Sequence, residues 1–266
     1  IRMKAEKDGD EWVLNGQKVW TSGAHFADYG MVVARSDPST LKHKGLSYFF
    51  LDMKTPGVEA NPIKQISGSA NFNEVFFNDV RIPDSQRLGA EGDGWKVALT
   101  TLMNERLAVG DPPGLDFDQI FEATKEIEVE DGLAIKNSEV RQKMADWYVQ
   151  SRGLQYTKYR SMTALSKGQT PGPELSISKL VTASKMQEVS SYALDLMDMA
   201  GYVHHDKNPV MRNLFQNGYF FSAAMRIAGG TDEVLRNIIA ERVLGLPQDE
   251  RPDKKVPFNE LPSGKS

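Results

Sequence analysis

The strongest local signal of the fold is the stretch Trp12-Val13-Leu14-Asn15-Gly16-Gln17-Lys18-Val19-Trp20. Strand-like runs flank its Asn-Gly pair. An Asn-Gly pair in this setting is typical of a two-residue type I′ turn, because both turn positions require φ > 0. We therefore predict a β-hairpin that turns at Asn15 and Gly16.

The strand pattern continues outward from this hairpin up to about Pro83. Short strand-like runs are separated there by Gly and Pro, which interrupt regular structure. The predicted strands cover residues 31–34, 46–52, 58–65 and 74–80. Several short strands at this spacing indicate a small sandwich or barrel.

After Gly92 the hydrophobic period becomes helical. Helices are predicted over residues 95–109, 138–165, 175–201, 211–227 and 232–244. Thr231 is a good N-cap for the last of these, and Asp232 and Glu233 place favourable negative charge in its first turn. Gly201 is a plausible residue to end the third helix.

Two segments have no regular period. Residues 111–137 are predicted to be a loop or lid, and the polar segment 247–266, with four prolines, either docks on the surface or is disordered. Strands followed by helices indicate an α+β fold. The chain begins at Ile1 and enters strand-like sequence almost at once, so we interpret it as a fragment that starts inside a domain.

The composition excludes several classes of function. The 266 residues contain no cysteine, which excludes disulfides, thiolate metal sites and cysteine nucleophiles. A net charge of −4 without a Lys/Arg run argues against nucleic-acid binding. No apolar run reaches the roughly 18 residues of a membrane span, and no leader is recognised. His25, His43, His204 and His205 match no metal motif. These features fit a reducing compartment, and we expect a cytoplasmic location.

Glu105 is the carboxylate that we single out. At helical spacing it shares a face with Ala98, Leu102 and Val109, which are small or apolar. Partial desolvation would raise the pKa of a carboxyl group held there, which suits a general base working near neutral pH. The alternative is a structural Glu at the edge of a helix stripe, paired with an Arg from a neighbour.

Two short motifs are further candidates. Gly229-Gly230-Thr231 precedes a helix, so its free N–H groups could bind an anion or polarise a carbonyl. The alternative is a glycine turn with a Thr cap. Trp20-Thr21-Ser22-Gly23 ends a strand and could face a flat ligand with one ring and two hydroxyls. The alternative is a sheet-edge Trp followed by a turn. Taken singly, these features do not identify an enzyme.

Four segments, taken together and in this order, carry a resemblance to a known family. They are residues 16–23 (GQKVWTSG) with 32–38 (VVARSDP), 73–83 (NEVFFNDVRIP), 92–107 and 230–242. In register over about residues 1–246, they resemble the acyl-CoA dehydrogenase family.

The resemblance implies an architecture and a reaction. The architecture is a middle β-domain over residues 1–88 that lacks its start, an up-down four-helix bundle over 89–246 and a polar tail over 247–266. The cofactor would be FAD, the substrate an acyl-CoA and the electron acceptor electron-transferring flavoprotein. The protein would be a tetramer, of one chain or with a paralogous subunit. In the family, a glutamate removes the α-proton while a β-hydride passes to flavin N5. The segment preceding residue 1 contributes flavin and thioester contacts in the family, so a complete FAD site is not expected from this chain alone.

The family's cofactor contacts transfer to positions that match its motifs. Trp20 matches the Trp that packs on the flavin, and Ser22 matches the hydroxyl near flavin N5. Thr231 and Glu233 match contacts to the adenosine half of FAD, with Glu233 standing where Gln is common. The implied cofactor set is Trp20, Thr21, Ser22, Gly230, Thr231 and Glu233.

Gly229 departs from the family pattern in an informative way. Most members place the catalytic Glu immediately before the Gly-Thr pair, where this chain has Gly229. A minority, resembling isovaleryl- and long-chain-type enzymes, place the base on the first bundle helix, where Glu105 lies next to Arg106. The resemblance thus implies Glu105 as the base, with Arg106 and the backbone N–H of Gly229 binding the substrate.

A second departure concerns residues 110–138, where the family's Arg-x-x-Phe-Gly segment is absent. This region is similar to actinobacterial members that act on steroid or other bulky thioesters, some of which are heteromers. Three alternatives stay open: a supporting subunit in a mixed tetramer, a flavin monooxygenase or oxidase of the same fold, and a non-flavin binding module. The last would require all of the motif matches to be coincidental.

Overall fold

The computed structural model describes residues 1–108, 115–169, 172–173, 175–203 and 210–262, without the side chains of 103–108, 175, 210–212 and 252. The chain divides into two compact units, one of Ile1–Gly110 with Glu250–Ser266 and one of Asp111–Asp249. A sheet-rich first part and a helical second part make the fold α+β, as predicted. The domain limits drawn at residues 88 and 246 from the family resemblance stay a prediction.

A seven-stranded sheet builds the first unit. Its strands are β1 (Lys4–Asp8), β2 (Glu11–Ser22), β3 (Tyr29–Arg35), β4 (Leu46–Asp52), β5 (Val58–Ile63), β6 (Phe72–Pro83) and β7 (Arg87–Leu88). Their order is β5-β6-β2-β1-β3-β4-β7, and only the β1–β3 pair among these is parallel. All of the predicted strands are confirmed. Alternate side chains of these strands form one apolar core, because successive residues of a strand point to opposite faces.

The hairpin predicted at Asn15 and Gly16 is wrong. β2 runs through both residues, and its pairing with β6 shifts by one residue at this point. The extra residue belongs to β6, where Asp79 has a φ of 50°, so the feature is a β-bulge. The Asn15 side chain closes the bulge: its Nδ2 donates to Asp79 Oδ1 and its Oδ1 accepts from the Asp79 N–H, both at 2.9 Å.

The turn that joins β1 to β2 is Gly9-Asp10, where Gly9 has a φ of 63°. Gly16 is a glycine for another reason. A Cβ at that position would lie 3.0 Å from the Cα of Met3, so the Met3 backbone would have to move, and the φ of 141° at Gly16 would be strained for any side chain. The Asn-Gly pair therefore marks a bulge and a close approach of two strands.

Asp84 joins Trp12 to Arg87 at the edge of the sheet. The Trp12 indole N–H donates to Asp84 Oδ1 at 2.6 Å, and Arg87 donates to both carboxylate oxygens at 2.9 and 3.0 Å. The hydrogen bond from Arg87, followed by that from Trp12, lowers the pKa of Asp84 from 3.8 to about 2.

We expect Asp84 to make the first unit sensitive to acid. A carboxyl group with a depressed folded-state pKa stabilises the fold above its unfolded pKa and loses that contribution as pH falls through the folded value. The contribution of Asp84 is thus present above about pH 4 and lost toward about pH 2. Urea unfolding followed by fluorescence at each pH measures it. Asp84→Asn should flatten the slope in this window, and Asp8→Asn, which removes an exposed carboxylate, is the control. Equal slopes in the two variants would contradict the prediction.

The first helix, α1 (Gly94–Ala108), packs against β3 and β4 in the first unit. The C-terminal segment docks on the same unit, which is one of the two outcomes predicted for it. The N–H groups of Phe258 and Asn259 donate to carbonyl oxygens in the β3–β4 loop at 3.1 and 3.0 Å. The Phe258 ring lies 3.9 Å from the guanidinium carbon of Arg35, which is buried.

Helices build the second unit. They are α2 (Phe117–Thr124), α3 (Ser138–Ser166), α4 (Leu175–Leu196), α5 (Met199–Tyr202), α6 (Val210–Met225) and α7 (Asp232–Ile238), with a π-helix over Ile239–Val243. α4 is central, in contact with α2, α3, α5, α6 and α7. Its small residues Ala183 and Ala193 are fully buried, which leaves room for Trp147 of α3 and Phe215 of α6 in the core of this unit.

Two predictions for this unit are wrong. Gly201 does not end a long helix, because α4 stops at Leu196. Gly201 is buried within α5, where a Cβ would lie 2.3 Å from the carbonyl oxygen of Leu194. Residues 115–137 are not a loop or lid, since they contain α2 and a small hairpin of β8 (Glu128–Val129) and β9 (Gly132–Leu133). A side-chain capping box at Asp116 begins α2.

Within the described ranges, no helix combines the length and the apolar character that crossing a bilayer requires. Over the same residues, no three His, Asp or Glu side chains converge as metal ligands would. His204 and His205 lie outside the described residues.

Candidate active site

Trp20 is presented at the end of β2 by a second β-bulge. Val19 and Trp20 together oppose Glu74 of β6, and Trp20 has a φ of 62°. A left-handed backbone is a genuine outlier for so bulky a residue. The Trp20 indole is 60% exposed and meets the Phe72 ring edge-on, with 6.2 Å between ring centroids. A strained backbone that exposes a large aromatic ring suggests a binding role.

Asn73 fixes the residues that follow Trp20. It is fully buried, its Nδ2 donates to the Thr21 carbonyl oxygen at 2.9 Å, and its Oδ1 lies 2.9 Å from His25 Nδ1. Because Asn73 Oδ1 can only accept, the His25 ring donates its Nδ1–H to it. Ser22, next to Thr21, is exposed. Sequence analysis missed Asn73 and His25, which lie 48 positions apart and share no local motif.

The predicted base lies on α1 in the first unit. Glu105 and Arg106 belong to the helical backbone, while their side chains lie outside the described residues. The neighbours expected to desolvate Glu105 differ in environment: Ala98 is buried, whereas Leu102 is 43% exposed within the chain. Val109 is outside the described residues. The apolar setting of Glu105 therefore stays a prediction.

The turn Gly229-Gly230-Thr231 joins α6 to α7 in the second unit. Its two glycines have φ values of 64° and 108°, which glycine adopts without strain. Thr231 caps α7 as predicted, with its hydroxyl oxygen accepting from the Val234 N–H at 3.3 Å. The pKa of the exposed Glu233 carboxyl is lowered, first by its own backbone N–H and then by the Thr231 hydroxyl.

The amide groups of this turn are available to a ligand. Among the described residues, no acceptor takes a hydrogen bond from the N–H groups of Gly229, Gly230 or Thr231. Consecutive amides in a left-handed turn can converge on one carbonyl or anionic oxygen. Binding and polarisation of a carbonyl group by this turn stays a prediction.

An ionic network centred on the buried Asp232, which sequence analysis missed, holds the turn. Lys179 of α4 donates to the Gly230 carbonyl oxygen at 2.6 Å and lies 4.0 Å from Asp232 Oδ1. Arg226 donates to Asp232 Oδ2 at 2.7 Å and to Gln187 Oε1 at 2.8 Å. Asp232 places negative charge in the first turn of α7, as predicted, and it is in addition buried and ion-paired.

The structure places the predicted site residues in two sets. The first unit carries Trp20, Thr21, Ser22 and the backbone of Glu105 and Arg106, and the second carries Gly229, Gly230, Thr231 and Glu233. In the first set, Trp20, Thr21 and Ser22 are consecutive at the end of β2, whereas Glu105 and Arg106 are neighbours on α1. The second set lies in the α6–α7 turn and the first turn of α7. The first offers an aromatic surface with hydroxyls, and the second offers free amides.

Two protein-family models match the chain. Residues 1–80 match the acyl-CoA dehydrogenase middle domain, and residues 92–244 match the acyl-CoA dehydrogenase C-terminal domain. The chain belongs to the acyl-CoA dehydrogenase family. The two matches confirm the resemblance inferred from the four motif segments. Members of this family are oxidoreductases.

Two curated relatives come from Mycobacterium tuberculosis. Acyl-CoA dehydrogenase FadE34 is 34% identical over 250 residues, which cover 93% of this chain and 33% of FadE34. Acyl-CoA dehydrogenase IpdE1 is 37% identical over 252 residues, which cover 94% of this chain and 64% of IpdE1. The chain thus spans between one third and about two thirds of the length of these acyl-CoA dehydrogenases.

A solved structure described as the Tcur3481-Tcur3483 steroid ACAD has the same fold. It matches with a TM-score of 0.79 and 23% identity, over 94% of this chain and 64% of that chain. At this identity the similarity establishes the fold, in which a sheet-rich part precedes a helical part.

Proposed function

We propose that this chain forms the middle and C-terminal parts of an FAD-dependent acyl-CoA dehydrogenase. The observation that carries the proposal is Trp20, whose left-handed backbone exposes an indole ring at the end of β2 in a chain of this family. Bound FAD would supply the hydride acceptor of the reaction. An exposed aromatic ring beside the hydroxyls of Thr21 and Ser22 fits a flat ring system with polar edges.

The chain's own residues would bind the substrate and move its proton. Glu105 would take the α-proton on a carboxylate oxygen, as the electron pair of the Cα–H bond forms the double bond and hydride leaves Cβ. The Gly229 N–H would donate to the thioester oxygen, where negative charge develops. Arg106 would contact the substrate beside Glu105. The adenosine half of FAD would be held by Gly230, Thr231 and Glu233.

The same proposal extends to partners and location. The protein would act in the cytoplasm, pass electrons to electron-transferring flavoprotein and assemble as a tetramer. The description of the Tcur3481-Tcur3483 structure names a steroid and two components. This supports testing bulky, steroid-derived thioesters and a paralogous partner subunit. The β-domain over residues 1–88, the bundle over 89–246 and the tail over 247–266 are part of this proposal.

A supporting subunit is the second candidate function. Gly229 has no carboxylate at the position where most family members carry the base. Its φ of 64° would be strained for a glutamate. The backbone of the turn thus suits glycine and not glutamate at position 229. A catalytic chain with its base at Glu105 would have this glycine, and so would a non-catalytic subunit.

An anaerobic titration tests the function. Full-length protein loaded with FAD is mixed with short, branched, long and steroid-derived acyl-CoAs while the visible absorbance of the flavin is followed. We expect one class to bleach the flavin and to yield an equal amount of enoyl-CoA, because the two products of the reaction form together. Bound flavin without bleaching by any class contradicts the dehydrogenase. Oxygen uptake during turnover would instead indicate a monooxygenase or oxidase.

A further inference from the structure

The ammonium group of Lys179 is directed at the backbone of the glycine turn. Its Nζ lies 2.6 Å from the Gly230 carbonyl oxygen and 4.0 Å from Asp232 Oδ1. The nearer partner is therefore a neutral carbonyl. The Lys179 side chain is only 20% exposed, and burial is the largest influence on its pKa, which is lowered, while Asp232 opposes that effect. A desolvated ammonium makes a strong hydrogen bond to a carbonyl oxygen.

Asp232 attracts the Lys179 ammonium group but does not accept its hydrogen bond. Asp232 Oδ2 is taken by Arg226 at 2.7 Å, and Asp232 Oδ1 is buried without a hydrogen-bond partner among the described residues. The carboxylate therefore supplies a counter-charge at 4.0 Å while the Lys179 donor remains on Gly230. Arg226 is itself held by Gln187 of α4, the helix that also carries Lys179.

Lys179 is the contact that restrains the middle of the turn. The chain is tied before the turn by the Ala228 N–H, which donates to Ala224 at 2.8 Å, and after it by the Asp232 N–H, which donates to Arg226 at 3.1 Å. Between these ties lie two glycines with positive φ, which have access to many backbone conformations. A peptide unit is planar and trans, so fixing the Gly230 C=O fixes the direction of the Thr231 N–H. It also limits the conformations open to the two glycines between the Ala228 tie and this carbonyl, and with them the direction of the Gly229 N–H.

We propose that Lys179 is a positioning residue that holds the Gly229-Gly230 turn so that its amide groups meet the thioester carbonyl oxygen of the acyl-CoA. This inference rests on the proposed function, in which the Gly229 N–H polarises that carbonyl. Lys179 acts through the backbone and does not touch the substrate. A misdirected amide would weaken the hydrogen bond that grows as charge develops on the oxygen, so the rate of flavin reduction should depend on Lys179.

The test uses full-length, FAD-loaded protein in four forms: wild type, Lys179→Met, Lys179→Arg and Lys143→Met. Lys143 is an exposed lysine of α3, so its replacement matches the chemistry of the first variant away from the turn. The probe is a 2-enoyl-CoA that carries ¹³C at its carbonyl carbon and has the acyl chain that bleaches the flavin. Infrared difference spectra report the carbonyl stretch of the bound probe, and stopped-flow absorbance reports the rate of flavin reduction by the saturated substrate.

In the wild type we expect binding to lower the carbonyl stretching frequency. In Lys179→Met this shift should shrink and flavin reduction should slow by about 10²-fold, the typical effect of misplacing a catalytic contact. Lys179→Arg keeps a cationic donor and should retain most of the shift, and Lys143→Met should behave as wild type. Flavin content and far-ultraviolet circular dichroism exclude a folding defect, and Lys179→Arg decides the question if Lys179→Met fails to fold.

The outcomes separate the two proposals. A wild-type protein that bleaches with substrate but shows no carbonyl shift would overturn both the role of Gly229 and the positioning role of Lys179, while leaving the dehydrogenase itself in place. A wild-type shift that persists unchanged in Lys179→Met would overturn the positioning role alone. A shift that is lost in Lys179→Met and kept in Lys179→Arg supports it.

Discussion

Glu105→Gln should slow flavin reduction by acyl-CoA by roughly 10²–10⁴-fold, the usual contribution of a general base. The glutamine side chain keeps the size and shape of the glutamate but cannot accept the α-proton. Binding of FAD and acyl-CoA should change little, because neither depends on proton transfer. Anaerobic stopped-flow measurement of the flavin absorbance, with full-length protein at saturating substrate, gives the rate constant directly.

Glu91→Gln is the matched control for this prediction. Glu91 is exposed just before α1, so the variant loses the same charge from the same region of the chain. We expect it to reduce its flavin at the wild-type rate. A wild-type rate in Glu105→Gln would falsify the assignment of the base. Loss of bound flavin in Glu105→Gln would also contradict it, since a base acts after the cofactor is bound.

Local patterns predicted most of the regular structure. The strand over residues 46–52 was predicted with its observed bounds, because a run of strand-forming residues between turn residues needs no distant partner. Thr231 was recognised as a cap for the same reason, since the capping hydrogen bond spans three residues. The motif segments added the family, which the patterns alone could not supply.

The sequence could not predict features that depend on distant contacts. The Asn15-Gly16 pair has the composition of a turn, and only the approach of Met3 and the pairing of Asn15 with Asp79 show why it lies inside a strand. The left-handed backbone of Trp20 follows from a bulge that needs β6 beside it.

Contacts within the candidate site were hidden for the same reason. Lys179 and Gly230 are 51 positions apart, so no local pattern joins them. By contrast, the start of α2 could have been predicted from a local capping motif. Asp116 and Gln119 form its capping box at the usual three-residue spacing, but the irregular hydrophobic period around them led to the loop prediction.

The stability of the second unit should depend strongly on one buried ammonium group, that of Lys185. The side chain of Lys185 is 1% exposed, and its Nζ donates to Asp116 Oδ1 at 2.6 Å and to Ser151 Oγ at 2.8 Å. Ser151 also donates to Asp116. The three residues join α4, α3 and the start of α2, so one carboxylate both caps a helix and neutralises a buried cation.

Asp116→Asn should lower the free energy of unfolding by about 3–5 kcal/mol, because it leaves the Lys185 ammonium buried without a counter-charge. Lys185→Met should cost less, on the order of 1–2 kcal/mol, since the Asp116 side chain is 50% exposed and water can solvate it. The double variant should be more stable than Asp116→Asn alone, because it removes the unpaired charge. Asp118→Asn, an exposed carboxylate in the first turn of the same helix, is the control.

Urea unfolding of the four variants and the wild type measures these differences, and the order of stability decides the interpretation. If Lys185→Met were the less stable single variant, neutralisation of a buried charge would not be the main contribution of the pair. The pH dependence gives an independent check. Burial raises the pKa of Asp116, but hydrogen bonds from Lys185, Ser151 and the α2 backbone outweigh it and lower the pKa overall. Its contribution is therefore present above about pH 4 and is lost as pH falls, whereas Asp116→Asn lacks that loss.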